Sequence, residues 1–85
     1  MQTFAPTQNQ MEIARSIDIE VHNLLKAGGD EALLQGLHPL MLQFKPILDT
    51  SKPGQMDTLC TEFEGFYHFA ELLEAMAKAA RDGVL

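Results

Sequence analysis

Three side chains with metal-binding chemistry recur at helical spacing in the C-terminal third of the chain. Glu64, His68 and Glu71 are separated by four and three residues, which places them on one helix face. Carboxylates and imidazole at such spacing bind transition metals in carboxylate-bridged helical proteins. The alternative is a solvated face with a helical ion pair, because all three lie opposite the apolar stripe. We expect the solvated face, and therefore neither a metal nor a cofactor. Glu64, His68 and Glu71 remain the candidate ligands of the alternative, a metal site.

A second candidate is His22, which follows Asp18 by one helical turn and precedes the sequence Asn-Leu-Leu-Lys-Ala-Gly. This segment resembles histidine phosphotransfer domains, in which the pattern His-x-x-Lys-Gly lies on a bundle helix. The resemblance implies that His22 accepts a phosphoryl group. Here, however, Leu25 stands at the lysine position, and Lys26 is turned about 100° around the helix. The competing interpretation is a histidine at the solvent edge paired with Asp18.

The lone cysteine, Cys60, has no partner in the chain for a disulfide or a paired-cysteine zinc site. It lies beside the apolar stripe, where a free cysteine usually packs as a small core residue. The sequence contains no nucleophile elbow, no phosphate-binding glycine loop and no dinucleotide motif. We therefore expect a protein that is not an enzyme.

The composition favours one small folded domain. The chain has 85 residues, of which 46% are apolar and 21% are charged, which excludes both two domains and intrinsic disorder. Folding at this size buries only about 60–65% of the unfolded surface, so a monomer would be marginally stable. We expect a flexible lead-in over residues 1–9 and a single helical domain over residues 10–85.

The charge balance narrows the class of partner. Twelve acidic and six basic residues give a formal charge of −6, and the basic residues form no cluster. Nucleic acids and anionic membranes are therefore disfavoured as ligands. No segment approaches the ~20 apolar residues of a membrane span, and the first ten residues lack the features of a signal peptide. We expect a soluble protein of a reducing compartment, the cytoplasm.

The first helix is predicted from apolar residues at steps of three and four, with Gly28 and Gly29 as its stop. An alternating stretch over residues 17–21 would also suit a strand, but no partner strand is evident. Ile19 is left off the buried face. The residues of the stripe are Ile13, Ile17, Val21, Leu24 and Leu25.

The second block begins at Asp30 and is expected to break near His38, because Pro39 disfavours helical geometry before it. A further segment should run to about Asp49, bent or loosened by Pro46. This block is apolar nearly all round, which is typical of a helix buried on more than one side.

The third block carries a heptad seam from Met56 to Val84, which predicts one helix from Gly54 to Asp82 of about 43 Å. The first helix, at about 18 residues, would be only about 27 Å long. We therefore expect an all-α bundle of three to four helices, with a long C-terminal helix and a second helix broken near Pro39.

A long seam with small C-terminal residues favours a homodimer, because such residues let two helices approach closely. Phe63 and Phe66 are assigned to the core. The alternative is a compact monomer that uses the whole stripe internally. The predicted interface consists of Tyr67, Phe69, Ala70, Leu73, Ala77 and Ala80.

These features predict a small non-enzymatic interaction protein: an adaptor, regulator or inhibitor that acts through a helical face. Its partner is a protein, including a second copy of itself. A small-ligand- or metal-binding bundle is the alternative, followed by a phospho-relay module that uses His22.

Overall fold

Four α-helices account for nearly all of the chain that the computed structural model describes, residues 5–83. The helices are α1 (Gln8–Gln35), α2 (Leu37–Thr50), α3 (Pro53–Glu62) and α4 (Glu64–Arg81). α1 packs against both α2 and α4, and α3 packs against α4. Within these residues the predicted all-α bundle is confirmed, and residues 17–21 are helical.

α1 begins at a capping box and contains the predicted glycine stop. Thr7 accepts a hydrogen bond from the Gln10 backbone N–H, and the Gln10 side chain accepts one from the Thr7 N–H. Gly28 and Gly29 then leave helical geometry, and Gly29 has φ +66° and ψ −150°. The chain resumes helical geometry after this break and continues to Gln35. The two glycines therefore redirect the chain within α1.

The break between α1 and α2 lies at Gly36, three residues before Pro39. Pro39 is therefore in the first turn of α2, where a backbone N–H has no partner within the helix, so the missing donor costs little. The predicted break near Pro39 is confirmed, and its position reflects this tolerance. α2 continues through Pro46, whose carbonyl oxygen accepts a hydrogen bond of 2.7 Å from the Thr50 hydroxyl.

The C-terminal block is two helices, so the prediction of one unbroken helix from Gly54 to Asp82 is wrong at Phe63. Phe63 is extended, with φ −126° and ψ 102°, and it separates α3 from α4. Leu59 before this break and Phe66 after it are both fully buried in the core. The long C-terminal helix is therefore α4, with 18 residues.

The core lies where α1, α2 and α4 meet and centres on three phenylalanines. The Phe44 ring is 5.3 Å from the Phe66 ring and 5.5 Å from the Phe69 ring, measured between centroids, and the second pair is edge-on. Such pairs add about 0.5–1.5 kcal/mol to the effect of burial. The buried apolar residues are Ala14, Ile17, Val21, Leu33, Leu40, Phe44, Ile47, Leu59, Phe66 and Phe69.

Candidate functional site

The outer side of α2 presents an apolar groove, here called the α2/α4 groove, of about 270 Å³. Met41, Leu42 and Leu48 of α2 line it and remain 45%, 62% and 57% exposed. Leu73 of α4 lines the opposite side. The expectation that α2 is buried on more than one side is therefore wrong for a single chain, because α1 and α4 cover only one face of it.

Two further residues of α2, Phe44 and Lys45, line the groove together with His38. Phe44 belongs to the core, so the floor of the groove is continuous with the interior of the bundle. Lys45 is the one Lys, Arg, Asp or Glu among the described residues that line it. The groove is thus a nearly uncharged surface on a chain of net charge −6.

α4 extends the apolar stripe beyond the groove. Ala77 and Ala80 follow Leu73 by four and seven residues, which keeps them on the same helix face, and both are exposed. Small side chains at these positions allow another backbone to approach closely. The stripe and the groove together form one surface that draws on two helices.

The six residues predicted for the interface fall into three groups. Ala77, Ala80 and Tyr67 are exposed, Ala70 and Leu73 are half-buried, and Phe69 is fully buried. The prediction that Phe69 lies at the interface is wrong. Its ring packs edge-on against Phe44 inside one chain and offers no surface to a partner. Phe66 is buried as expected, whereas Phe63 is only half-buried at the break between α3 and α4.

Tyr67 faces away from the α2/α4 groove and makes a local contact. Its hydroxyl donates a hydrogen bond of 2.5 Å to Glu71 Oε1, one turn further along α4. This hydrogen bond, together with the negative charge of Glu71, raises the pKa of the Tyr67 hydroxyl above its usual value of 10.0. The contact stabilises the neutral phenol.

The candidate metal residues come close to a second helix. Glu64, His68 and Glu71 are exposed and line one depression with His22 of α1. The sequence alone identifies no further metal ligand on a facing helix, whereas the fold places His22 there. Even so, no group of three or more His, Cys, Asp or Glu side chains in residues 5–83 is arranged to hold a metal ion.

His22 is exposed and pairs with Asp18, as the competing interpretation predicted. Its Nδ1 atom lies 3.2 Å from Asp18 Oδ1 and 2.8 Å from the Asp18 carbonyl oxygen. Asp18 Oδ1 also accepts a hydrogen bond of 2.6 Å from the Gly65 N–H. The carboxylate thereby caps the N-terminus of α4, for which Phe63 supplies no side-chain cap.

Cys60 is half-buried, and its surroundings favour the protonated thiol. Burial, followed by the negative charges of Asp57 and Glu71, raises the pKa of the Cys60 thiol above 9.0. The thiolate is the nucleophilic form of cysteine, so this environment lowers its reactivity near neutral pH. The position matches the expected role as a small packing residue.

Comparison of the chain with known protein families, with curated proteins and with solved structures finds no match. Within residues 5–83, none of the helices combines the length and apolar character needed to cross a membrane. Any functional conclusion therefore depends on the surfaces described above.

Proposed function

We propose that this chain is a non-enzymatic interaction protein, of the adaptor, regulator or inhibitor class, that pairs with a second copy of itself through the α2/α4 groove. The observation that supports this proposal is the exposure of Met41, Leu42 and Leu48 beside Leu73. Single exposed apolar residues are ordinary, but a contiguous apolar patch on a small protein marks an interaction surface.

The charge distribution favours a second copy as the occupant. Two chains of charge −6 repel each other, so they associate best through a face that carries little of that charge. The described residues that line the α2/α4 groove include no carboxylate, and Lys45 is basic. Pairing this groove with its own copy therefore brings no carboxylates of its lining together.

The alanine stripe supplies the flank of the same interface. A standard interface buries about 800 Å² on each partner, roughly one seventh of the 5915 Å² that one chain exposes. The groove forms the centre of such an area, and Ala77 and Ala80 extend it along α4. Burying this surface also adds apolar contacts to a chain whose own core is small.

Sedimentation equilibrium of four proteins tests the proposal. The parent should weigh about twice 9.4 kDa at micromolar concentrations. Leu48→Glu and Ala77→Glu should weigh about 9.4 kDa, because burying an unpaired carboxylate costs several kcal/mol. Ile19→Glu is the matched control, since Ile19 is 52% exposed on α1 and lines no part of the groove.

The control variant adds the same charge at a similarly exposed apolar residue, and it should remain dimeric because Ile19 lies outside the groove. A parent of 9.4 kDa at every concentration would contradict self-association. A dimer that Ile19→Glu dissociates, and Leu48→Glu does not, would move the interface to α1.

A further inference from the structure

A second groove lies on a different side of α4, against α1, and is here called the α1/α4 groove. It consists of two adjoining depressions of about 410 and 380 Å³, which share His68 and Glu71 as lining residues. No described residue lines both this groove and the α2/α4 groove. The two surfaces can therefore be occupied and tested separately.

The floor of the α1/α4 groove is apolar. Leu34 and Leu72 line the first depression, and Leu25 lines the second. Leu34 is 52% exposed, although leucine is one of the side chains that gain most from burial. These three side chains come from α1 and α4 and give an occupant apolar contact along the length of the groove.

The rim of the groove is acidic. Asp30, Glu64 and Glu71 line it, and no Lys or Arg in residues 5–83 lies within ion-pair distance of these carboxylates or lines either depression. Glu71 accepts a hydrogen bond from Tyr67, which leaves its charge in place. The carboxylates surround the apolar floor, so an occupant that is both apolar and cationic is complementary to the groove.

We propose that the α1/α4 groove binds a basic amphipathic helical segment of a partner protein. Apolar side chains of that helix would cover Leu25, Leu34 and Leu72, and its Lys or Arg side chains would pair with the three carboxylates. Glu64 and Glu71 are seven residues apart on α4, about 10 Å at about 1.5 Å per residue. A helix that spans this distance has about two turns, and the contact is that of a helix in a groove.

Fluorescence anisotropy with a labelled synthetic peptide tests this binding. The probe is a peptide of leucine and lysine with helical spacing, and its counterpart replaces each lysine with glutamate. The lysine peptide should bind saturably and more weakly as salt rises, because salt screens exposed charges. The glutamate peptide should not bind. The monomeric variant Leu48→Glu should bind the lysine peptide as the parent does, which separates this proposal from self-association.

A charge-matched pair of variants locates the site. The first variant combines Asp30→Asn, Glu64→Gln and Glu71→Gln. It should weaken binding of the lysine peptide about tenfold, because each exposed ion pair between a carboxylate and a lysine contributes only modestly to affinity. The control removes three exposed carboxylates that do not line the groove and should weaken binding less than about twofold. Its substitutions are Glu12→Gln, Glu20→Gln and Glu62→Gln.

Three results would overturn the proposal: the lysine peptide shows no saturable binding, the two triple variants weaken binding equally, or the glutamate peptide binds as tightly as the lysine peptide. Chemical-shift mapping on the parent provides a test that does not depend on how a variant folds. Shifts should centre on Leu34 and Leu72, and shifts centred on Met41 and Leu48 would place the peptide in the other groove.

Discussion

Replacing Gly65 by alanine sets two physical effects against each other. Gly65 is in the first turn of α4, where alanine is a better helix former by about 1 kcal/mol. In the folded protein, however, an added Cβ would lie 2.6 Å from Asp18 Oδ1 and 2.7 Å from the Asp18 carbonyl oxygen. Ordinary contacts of a Cβ begin at 3.4 Å, so α1 and α4 would have to separate by about 0.7 Å, from 2.7 to 3.4 Å.

The separation also weakens the cap of α4. The hydrogen bond from the Gly65 N–H to Asp18 Oδ1 would lengthen from 2.6 Å, and losing an N-cap costs about 0.5–2 kcal/mol. Overpacking of a tight contact costs about 1–3 kcal/mol. Set against the gain of about 1 kcal/mol in helix propensity, Gly65→Ala should destabilise the fold by about 2 kcal/mol.

Urea denaturation followed by far-UV circular dichroism, at one fixed protein concentration, measures this change. Ala75→Gly is the control, because Ala75 is exposed on α4. Its substitution should change only helix propensity and lower the free energy of unfolding by about 1 kcal/mol. Asp18→Ala should not rescue Gly65→Ala, because the Asp18 backbone carbonyl remains in place. A stabilised Gly65→Ala variant would refute the close approach of α1 to α4.

Three further predictions concern single residues. Phe69→Ala should cost about 3–5 kcal/mol in the same denaturation assay, whereas Tyr67→Ala should cost under about 1 kcal/mol, because Phe69 is buried and Tyr67 is not; similar losses would contradict these placements. Gly29→Ala should cost about 1–3 kcal/mol, because φ +66° with ψ −150° is strained for alanine although the site is open, and an unchanged midpoint would contradict this geometry. Tyr67, the one tyrosine, should ionise in an ultraviolet pH titration above pH 10.0, and Glu71→Gln should lower that midpoint. Because the pKa of Tyr67 is higher in the folded than in the unfolded protein, its hydroxyl stabilises the fold fully below the unfolded pKa, and this stabilisation is lost as pH rises through the folded pKa. A titration midpoint that Glu71→Gln leaves unchanged would contradict the hydrogen bond.

Much of the fold follows from local signals in the sequence. The glycine pair at residues 28 and 29 and the proline at residue 39 mark real changes of direction, because both residue types act on the backbone directly. The break at Phe63 has no such signal. The cap of α4 that follows it comes from Asp18, which is 47 residues from Gly65 in the chain and reaches α4 only once α1 has packed against it. Tertiary contacts of this kind cannot be inferred from helical periodicity.

The candidate surfaces were predictable only in part. Periodicity predicts which residues share a helix face, and it correctly places Ala77 and Ala80 on the stripe of Leu73. It does not predict which of several apolar faces another helix will cover. The second block was expected to be buried on more than one side, yet its Leu48 is exposed, whereas Phe69 was expected at an interface and lies in the core.

Isotope-filtered nuclear Overhauser spectroscopy on an equal mixture of labelled and unlabelled chains tests self-association through the α2/α4 groove. The effect reports only contacts between copies, so it identifies both the dimer and its surface. We expect intermolecular contacts among the methyl groups of the groove and of the adjoining stripe: Met41, Leu42, Leu48, Leu73 and Ala77. Intermolecular contacts confined to Ile19 on α1, or none at concentrations where the mass is that of one chain, would contradict it.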